Sequence, residues 1–387
     1  MSLKGKAYVA GIYEHPTRKA DDKSLAQLHA EVAKGALKDA GLSKSDVDAY
    51  FCAGDAPGLG PLSMADYLGL KLRYVDATDT GGSSYIIHLG HAARAIAAGK
   101  CDVALITLAG RPRAEGIGSH LGRSFGAMPD KPFEAPYGTA ILNLYGMVAM
   151  RHMHEFGTTS EQLAWIKVAA SHHAQYNPNA MLRDVVTVQD VLNSPLVADP
   201  LHRLDCCVIS DGGGAVVVTR PEIAKSLKRP LVTVRGAGEA VKHQNGGKID
   251  LTYSAGVWSG PAAFTEAGVK HADIKYASFY DSFTITVLMQ IEDVGFCAKG
   301  EGGRFVADGN LISGVGKLPF NTDGGGLCNN HPGNRGGMTK IIEAVRQARG
   351  EAHPKVQVKN CDLVLAHGTG GALGTRHGSG TVILERQ

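Results

Sequence analysis

Four consecutive small residues, Gly81, Gly82, Ser83 and Ser84, mark the place where the sequence most clearly prepares a reactive site. They open an almost wholly apolar stretch that runs to Gly99, and they predict a tight turn followed by a serine-capped helix. The first N–H groups of a helix have no internal partner and lie at the positive end of its dipole. We therefore expect this helix start to stabilise an oxyanion or an activated nucleophile. The hydroxyl of Ser83 is a candidate for chemistry, with helix capping as the alternative.

Three histidines come into question as functional groups. His331 stands in a His-Pro-Gly segment before a predicted helix, which would place an imidazole beside a helix dipole; the alternative is a capping role. His88 and His91 are three residues apart on the apolar helix, a spacing that can bind a metal. No carboxylate or cysteine accompanies them in the sequence, so we expect packed histidines and no metal site.

The apolar stretch predicts how this site is held. A helix from Ser83 to Ala98 without a polar face must be buried, and a strand from Tyr74 to Thr78 should lead into it. Earlier in the chain we expect a strand from Ala7 to Ile12 and an amphipathic helix from Ser24 to Asp39.

The sequence also repeats itself. Ala40-Gly41-Leu42 with Asp46-Val47 recurs as Ala267-Gly268-Val269 with Asp273-Ile274, and each copy leads into a strand. A second pair is Cys101 to Leu105 with Cys361 to Leu365. A third pair is the glycine turn at Gly81-Gly82 with that at Gly324 to Gly326, and each of these turns leads toward a helix. Such duplication, with apolar strands beside long helices, predicts a layered α/β/α/β/α sandwich of two similar halves, with the repeated central helices in the middle.

The duplication suggests domain boundaries. Residues 1–109 and 202–228 would form the first half and residues 229–387 the second. Residues 110–201 would be an inserted loop domain with a helix from Ser160 to Gln175. Insertions of this size usually cap an active site or build an interface.

Composition excludes several classes of protein. The chain has 387 residues, a formal net charge of +3 and no basic run, so nucleic acid is not an expected partner. No apolar run is long enough for a membrane span and the N-terminus lacks a signal-peptide pattern, so we expect a cytoplasmic protein. Seven cysteines without a CxxC pair favour free thiols, mostly buried.

Several motifs together resemble the thiolase superfamily, above all the sterol-carrier-protein-type thiolases and the related thiolase-like aldolases. They are Tyr280-Asp281-Ser282-Phe283-Thr284, Glu292 to Cys297, Lys299 to Gly303, Asn321, Gly325-Gly326-Leu327, His331-Pro332-Gly333, Asp211-Gly212-Gly213 and the glycine-rich tail from His367 to Gly374. The resemblance implies the duplicated five-layer thiolase fold and an enzyme that makes or breaks a carbon–carbon bond next to a coenzyme A thioester. The thioester is then the substrate, and no bound cofactor is implied.

The resemblance also implies which residues act. In that family a cysteine at the start of the buried helix takes the acyl group, a His-Pro-Gly histidine serves it, and a second cysteine moves a proton. Here Gly81 stands where the first cysteine should be, and Ser282 replaces the second. Tyr280 replaces a histidine, whereas His331 keeps its family identity.

These departures favour an aldol reaction. The glycine leaves the helix N–H groups of Gly81 and Gly82 but removes the nucleophile, and Tyr280 can move a proton if its neighbours lower its pKa toward the working pH. The alternative for Tyr280 is a packed ring with a hydrogen-bonded hydroxyl. Gly370 and Gly371 would add backbone N–H groups to the oxyanion site, with a tight hairpin turn as the alternative.

Two other functions stay open. Cys328, three residues before His331, is a conceivable substitute thiol for an acetyl-CoA acyltransferase. The chain could also be a non-catalytic subunit that scaffolds an active partner. The family further implies a homodimer and, in the aldolase branch, a small OB-fold partner that binds the acyl-CoA.

Overall fold

The computed structural model describes residues 3–116, 135–137, 140–243, 245, 248–333, 336–373 and 377–387. Its strands are β1 Tyr8–Glu14, β2 Ala49–Phe51, β3 Tyr74–Asp76, β4 Val103–Gly110, β5 Leu196–Ala198, β6 Leu201–His202, β7 Gly212–Thr219, β8 Val232–Lys242, β9 Tyr276–Phe279, β10 Leu363–Gly371 and β11 His377–Arg386. Its α-helices are α1 Leu25–Ala40, α2 Pro61–Leu68, α3 Ser84–Ala97, α4 Ile141–Phe156, α5 Ser160–Ala174, α6 Val188–Leu192, α7 Pro221–Ser226, α8 Gly256–Ala267, α9 Thr284–Val294, α10 Gly302–Val306, α11 Gly325–Cys328 and α12 Gly337–Arg349.

Nine strands form a mixed sheet in the order β3-β2-β4-β7-β1-β8-β11-β10-β9. A single residue pair, Tyr8 with Thr233, joins β1 to β8, so the sheet consists of two halves. The halves correspond strand by strand outward from this junction: β1 with β8, β7 with β11, β4 with β10, and β2 with β9. Phe320 forms an isolated parallel β-bridge with Ala277 of β9. Phe320 therefore lies beside β9 in the second half as β3 lies beside β2 in the first. The predicted duplication is therefore visible in the topology.

Helices α3 and α12 form the central layer. Both pack against each other and against strands of both half-sheets, whereas α1 covers the outer face of one half and α8, with α9 against it, covers the other. The result is the expected α/β/α/β/α arrangement. The middle core joins Tyr85, Ile86 and Leu89 of α3 to Met338 and Ile341 of α12. Full burial of each such side chain is worth roughly 1.5–3 kcal/mol.

The five elements whose bounds the sequence predicted, β1, α1, β3, α3 and α5, begin and end within two residues of the predicted positions. Ser24 caps α1 by accepting a hydrogen bond from the Gln27 N–H, and all but three residues of α3 are buried, as expected of a helix without a polar face. One proposed repeat is wrong. The turn at Gly324 to Gly326 leads into the four-residue α11, and the helix that corresponds to α3 begins at Gly337, immediately before β10. Within the described ranges, no helix has the length and apolarity needed to cross a membrane.

The inserted segment packs on the second half of the molecule. Its helix α5 contacts α9, α10 and α11, and α4 contacts α9. Thr159 caps α5, whose N-terminal residue Ser160 is the one predicted from the sequence. The segment thus lies over the carboxyl side of β9, where the chain continues into Tyr280.

The starts of α3 and α12 approach so closely that glycine is required. A Cβ atom added to Gly337 would lie 2.2 Å from the carbonyl oxygen of Gly82. We expect Gly337→Ala to lower the free energy of unfolding by about 1–3 kcal/mol, as overpacking does elsewhere. Urea unfolding followed by circular dichroism measures this loss.

A second helical glycine provides the matched comparison. A Cβ atom added to Gly146 in α4 comes no closer than 3.2 Å to its nearest neighbour, the Ala198 carbonyl oxygen. Gly146→Ala should therefore cost clearly less than Gly337→Ala. Equal unfolding midpoints for the two variants would contradict the close packing of the central helices.

Candidate active site

A cavity of about 960 Å³ opens at the start of α3. One wall comes from the body of the fold, through Gly81, Gly82, Tyr280, His331 and the end of β10. The inserted segment supplies much of the apolar wall, with the residues Ile141, Leu142, Tyr145, Met181, Leu182 and Val197. The insertion therefore encloses a predominantly apolar space above the predicted reactive residues.

Tyr280 and His331 meet in this cavity. The Tyr280 hydroxyl and His331 Nε2 are 2.8 Å apart, and the residues are only 4% and 3% exposed. Tyr280 directly follows β9, and its backbone N–H donates to the His367 carbonyl at 3.0 Å. The His331 backbone N–H donates to Ser210 Oγ at 2.8 Å. Two loops from distant parts of the sequence thus present one hydrogen-bonded pair.

Burial sets the protonation state of both groups. Loss of solvation, followed by the nearby Cys207 and Tyr145, raises the pKa of Tyr280 well above its ordinary value of 10.0. A hydrogen bond from the Gly336 backbone, at the start of α12, acts in the opposite direction but is outweighed. Burial, assisted by the charge of Lys340, lowers the pKa of His331 to about 4. The condition of a lowered tyrosine pKa is therefore not met: at neutral pH a neutral phenol faces a neutral imidazole.

Asp281 holds the two loops together. Its buried carboxylate accepts hydrogen bonds from the Gly326 and Leu327 N–H groups at 2.8 and 3.1 Å, and it pairs with Lys340 Nζ at 2.6 Å. Asp281 follows Tyr280, the N–H donors open α11, and Lys340 lies on α12. One ion pair thereby fixes the backbone on both sides of the tyrosine–histidine pair.

The turn before α3 is tight, as predicted, but the Gly81 N–H and the Ser83 hydroxyl make other hydrogen bonds than those predicted from the sequence. Gly81 adopts a left-handed conformation with φ of +67°, and its N–H donates to Asp79 Oδ1 at 3.2 Å. Ser83 does not cap the helix; its hydroxyl turns back to the Thr80 carbonyl and hydroxyl, both at 2.9 Å. Ser84 Oγ donates to the Gly81 carbonyl. Gly81 and Gly82 line the cavity, whereas Ser83 is fully buried behind them.

Gly370 and Gly371 also line the cavity, but they do not form a hairpin turn. They end β10 and pair with Gly378 and His377 of β11. Gly370 lies directly against the turn before α3, because an added Cβ atom would be 1.7 Å from the Thr80 carbonyl oxygen. The two predicted backbone sites, the turn and the tail, are therefore neighbours.

All seven cysteines are free. Cys328 is buried and does not line the cavity, while Ser282 lines it and its hydroxyl is 3.0 Å from that of Thr286. The adjacent Cys206 and Cys207 line the cavity, a position that the sequence did not indicate. Burial raises the pKa of Cys206 to about 12 and that of Cys207 further still, so both are protonated thiols and weak nucleophiles.

Further polar residues of the cavity were not identified from the sequence as site residues. Tyr145 contributes a second phenol, whose pKa burial raises to about 12, and its ring centroid lies 4.4 Å from that of Phe283. The others include Arg203, Lys242, His243, Thr369 and His377. Tyr145 had no local signal because it lies in a segment without a motif. The glycine-rich tail was recognised, and extending it past Gly374 would have included His377.

His88 of α3 is packed, as expected, whereas His91 is half-buried and contacts two carboxylates that the sequence did not place beside it. His88 Nε2 is 2.9 Å from the Thr78 carbonyl oxygen. His91 Nδ1 is 2.6 Å from Asp76 Oδ2, and His91 Nε2 is 2.8 Å from Glu239 Oε2. Across the ranges that the structure describes, His, Cys, Asp and Glu side chains form no group of three suited to a metal ion.

Comparison with known proteins agrees with this fold. The Thiolase C-terminal domain-like family matches residues 238–386. The steroid side-chain-cleaving aldolase of Thermomonospora curvata is 35% identical over 364 residues, which cover 90% of this chain and 91% of that protein. The acetyl-CoA acetyltransferase of Methanothermobacter thermautotrophicus is 33% identical over 370 residues, covering 92% and 93% of the two chains.

A solved structure of the Ltp2-ChsH2(DUF35) aldolase superposes with a TM-score of 0.89 at 32% identity, covering 99% of this chain and 98% of that one. The layered fold and its buried site thus define an enzyme of the thiolase type. The chain belongs to the thiolase superfamily, in the branch of the sterol-carrier-protein-type thiolases and the thiolase-like aldolases.

The low pKa of His331 makes the protein sensitive to acid. The unfolded chain binds a proton at His331 near pH 6.5, whereas the folded chain binds it only near pH 4. Between these values the unfolded state holds more protons, so the free energy of unfolding falls as the pH falls. At pH 5 this one group should cost about 2 kcal/mol relative to neutral pH.

The measurement is urea unfolding at pH 7.5 and pH 5.0, compared between wild type and His331→Asn. Other buried groups titrate in both proteins, so only the difference between the two pH dependences reports His331. The variant should lose about 2 kcal/mol less than wild type over this interval. Parallel pH dependences would show that His331 is not held neutral by burial.

Proposed function

We propose that this chain cleaves or forms a carbon–carbon bond of a β-hydroxyacyl-CoA by a (retro-)aldol reaction, without an acyl-enzyme intermediate. The observation that carries the proposal is the buried Tyr280–His331 hydrogen bond, which faces a cavity whose helix start has Gly81 in place of a nucleophile. The relatives named as an aldolase and as an acetyltransferase support a reaction of an acyl-CoA at a carbon–carbon bond.

The protonation states support a proton relay in the cleavage direction. The phenolic oxygen of Tyr280 takes the proton of the substrate β-hydroxyl while the phenolic proton passes to His331 Nε2. The bond between the α- and β-carbons then breaks, leaving an aldehyde or ketone and the enolate of the shortened thioester. The imidazolium returns its proton through Tyr280 to the α-carbon of the enolate. Atoms and charge balance without an external base.

The surroundings of Tyr280 fit this transient charge. The phenolic oxygen accepts a hydrogen bond from Gly336, at the positive end of the α12 dipole. The substrate enters a predominantly apolar space, in which such dipoles act more strongly than in water. The thioester of coenzyme A is the substrate in this scheme.

A second candidate is an acetyl-CoA acyltransferase with a non-standard nucleophile. The acetyl-CoA acetyltransferase among the relatives favours it, and Cys206 and Cys207 place two thiols in the cavity wall. Against it, burial raises the pKa of both thiols. A third candidate, a non-catalytic subunit, would leave the Tyr280–His331 pair without a role.

Tyr280→Phe separates these candidates. The variant keeps the ring but loses the hydroxyl that relays the proton, so kcat for cleavage of a β-hydroxyacyl-CoA should fall by about 10²–10⁴-fold. Release of the shortened acyl-CoA, followed by chromatography, measures the rate. Tyr176→Phe, outside the cavity, is the matched control and should retain the wild-type rate.

Intact mass spectrometry after incubation with acyl-CoA completes the test. We expect no acyl adduct on the wild-type chain. An adduct, or cleavage that survives Tyr280→Phe unaltered, would rule out the aldolase mechanism proposed here. Absence of cleavage in wild type would favour the non-catalytic subunit.

We further propose two partners. The expected small OB-fold protein is supported by the solved structure with 32% identity, whose name pairs Ltp2 with ChsH2(DUF35). A homodimer is supported by the edge strand β3, in which Val75 is 54% exposed. Leu59, Leu62 and Tyr67, in and before α2, are also exposed, at 75%, 69% and 56%.

The homodimer proposal predicts that a charge on the edge strand separates the subunits. Val75→Lys places an ammonium group in the proposed contact without touching the buried core. We expect wild type to sediment as a dimer and Val75→Lys as a monomer at the same concentration. A wild-type monomer, or a variant that remains dimeric, would contradict dimerisation through β3.

A further inference from the structure

Three buried side-chain atoms of residues in the cavity wall have no hydrogen-bond partner in the described part of the chain: His331 Nδ1, Thr369 Oγ1 and His377 Nε2. The last two belong to residues that have no role in the proton relay. Thr369 and His377 are both 0% exposed, and both line the cavity. Neither Thr369 Oγ1 nor His377 Nε2 makes a hydrogen bond within the ranges described. A buried polar group that lacks a partner carries a free-energy penalty, which a ligand atom can remove.

The tautomer of His377 follows from its other nitrogen. The Ala255 backbone N–H donates to His377 Nδ1 at 3.4 Å, so Nδ1 must carry a lone pair. The proton of the neutral ring is therefore on Nε2, the unpartnered nitrogen. Burial, followed by the charge of Lys242, lowers the pKa of His377 to about 3 and keeps the ring neutral. His377 thus offers a single N–H donor to the cavity.

Thr369 and His377 lie on the same face of the β10–β11 pair. Thr369 is paired with Ser379 and Gly371 with His377, and residues two apart on a strand share a face. The Thr369 backbone also borders Tyr280: a Cβ atom added to Gly82 would lie 2.3 Å from the Thr369 carbonyl oxygen and 2.6 Å from Tyr280 Cζ. Both donors are therefore part of the wall that contains the tyrosine–histidine pair.

The proposed reaction needs donors of this kind. When the bond between the α- and β-carbons breaks, its electron pair moves onto the thioester carbonyl oxygen, which becomes an enolate oxyanion. The N–H groups of Gly81 and Gly82 were the expected donors at the helix start, and that of Gly81 is directed to Asp79 Oδ1. The backbones of Gly370 and Gly371 are part of the β10–β11 ladder.

We propose that His377 Nε2–H and the Thr369 hydroxyl form the donor pair that binds the thioester carbonyl oxygen of the substrate and stabilises the enolate oxyanion. This inference rests on the proposed function, and it assigns two catalytic residues to it. The Tyr280–His331 pair moves protons, and the Thr369–His377 pair accommodates the developing negative charge. No proton leaves either donor during the reaction.

Three variants test the pair through kinetics. His377→Phe keeps a flat ring without a donor, His377→Gln keeps an N–H donor, and Thr369→Val removes the hydroxyl at nearly constant volume. Loss of one oxyanion donor should lower kcat by about 10²–10³-fold, with a smaller effect on KM. His377→Gln should recover part of this loss. His154→Phe, an exposed histidine on α4, is the matched control and should be unchanged.

Infrared spectroscopy tests the same contact without requiring the reaction. The probe is butyryl-CoA labelled with ¹³C at the thioester carbonyl, which lacks the β-hydroxyl. Bound to wild type or to His154→Phe, its carbonyl band should shift to lower frequency than in water, because two donors polarise the bond. His377→Phe and Thr369→Val should each reduce the shift. If His377→Phe does not fold, Thr369→Val and His377→Gln decide the result.

The outcomes distinguish this inference from the proposed function. Unchanged kcat in the donor variants, or a reduced kcat with an unchanged carbonyl band, overturns the donor pair while the aldolase function stands. Absence of cleavage in wild type, with a shifted band that the variants lose, overturns the aldolase function while the thioester-binding pair stands. Reduced kcat together with a reduced band shift supports both.

Discussion

The site depends on one buried carboxylate. Asp281 lies between Tyr280 and Ser282 in the sequence and connects their loop to the N-terminus of α11 and to Lys340 on α12. A charge buried this deeply is tolerated only when it is fully paired. Removing either member of the ion pair would leave the other charge uncompensated. The requirement to satisfy Asp281 therefore fixes the relative positions of the loops that carry Tyr280 and His331.

The same burial determines which chemistry is available. Burial disfavours the charged forms of tyrosine, cysteine and histidine, so Tyr280, Cys206 and His331 are neutral together. A thiolate mechanism would need a helix start or a cation to stabilise the sulfur. The α3 start has Gly81 at that place. A concerted transfer between two neutral partners, by contrast, creates charge only transiently.

The duplicated architecture explains why the site forms at this point. Central helices α3 and α12 correspond to each other in the two halves, and their N-termini meet where Gly337 approaches the Gly82 carbonyl. This places two helix starts beside one cavity, one next to Gly81 and the other next to the Tyr280 hydroxyl. The inserted segment then supplies the apolar side that the duplicated core lacks. The duplicated core thus forms the cavity wall that carries Tyr280 and His331. The inserted segment, which has no counterpart in the second half, forms much of the apolar wall of the same cavity.

The sequence by itself determined the elements, their duplication and the principal candidates, because these depend on hydrophobic periodicity and on short motifs that are local in the chain. The burial of α3 and the selection of Tyr280 and His331 came from such signals. Only the tertiary structure decided the direction of the Tyr280 pKa, since solvation depends on residues far away in sequence. It likewise decided that Ser83 turns away, that Asp79 occupies the Gly81 N–H, and that Cys207 and His377 reach the cavity. The physical reason is that hydrogen-bond partners and dielectric surroundings are set by long-range packing, which no local pattern records.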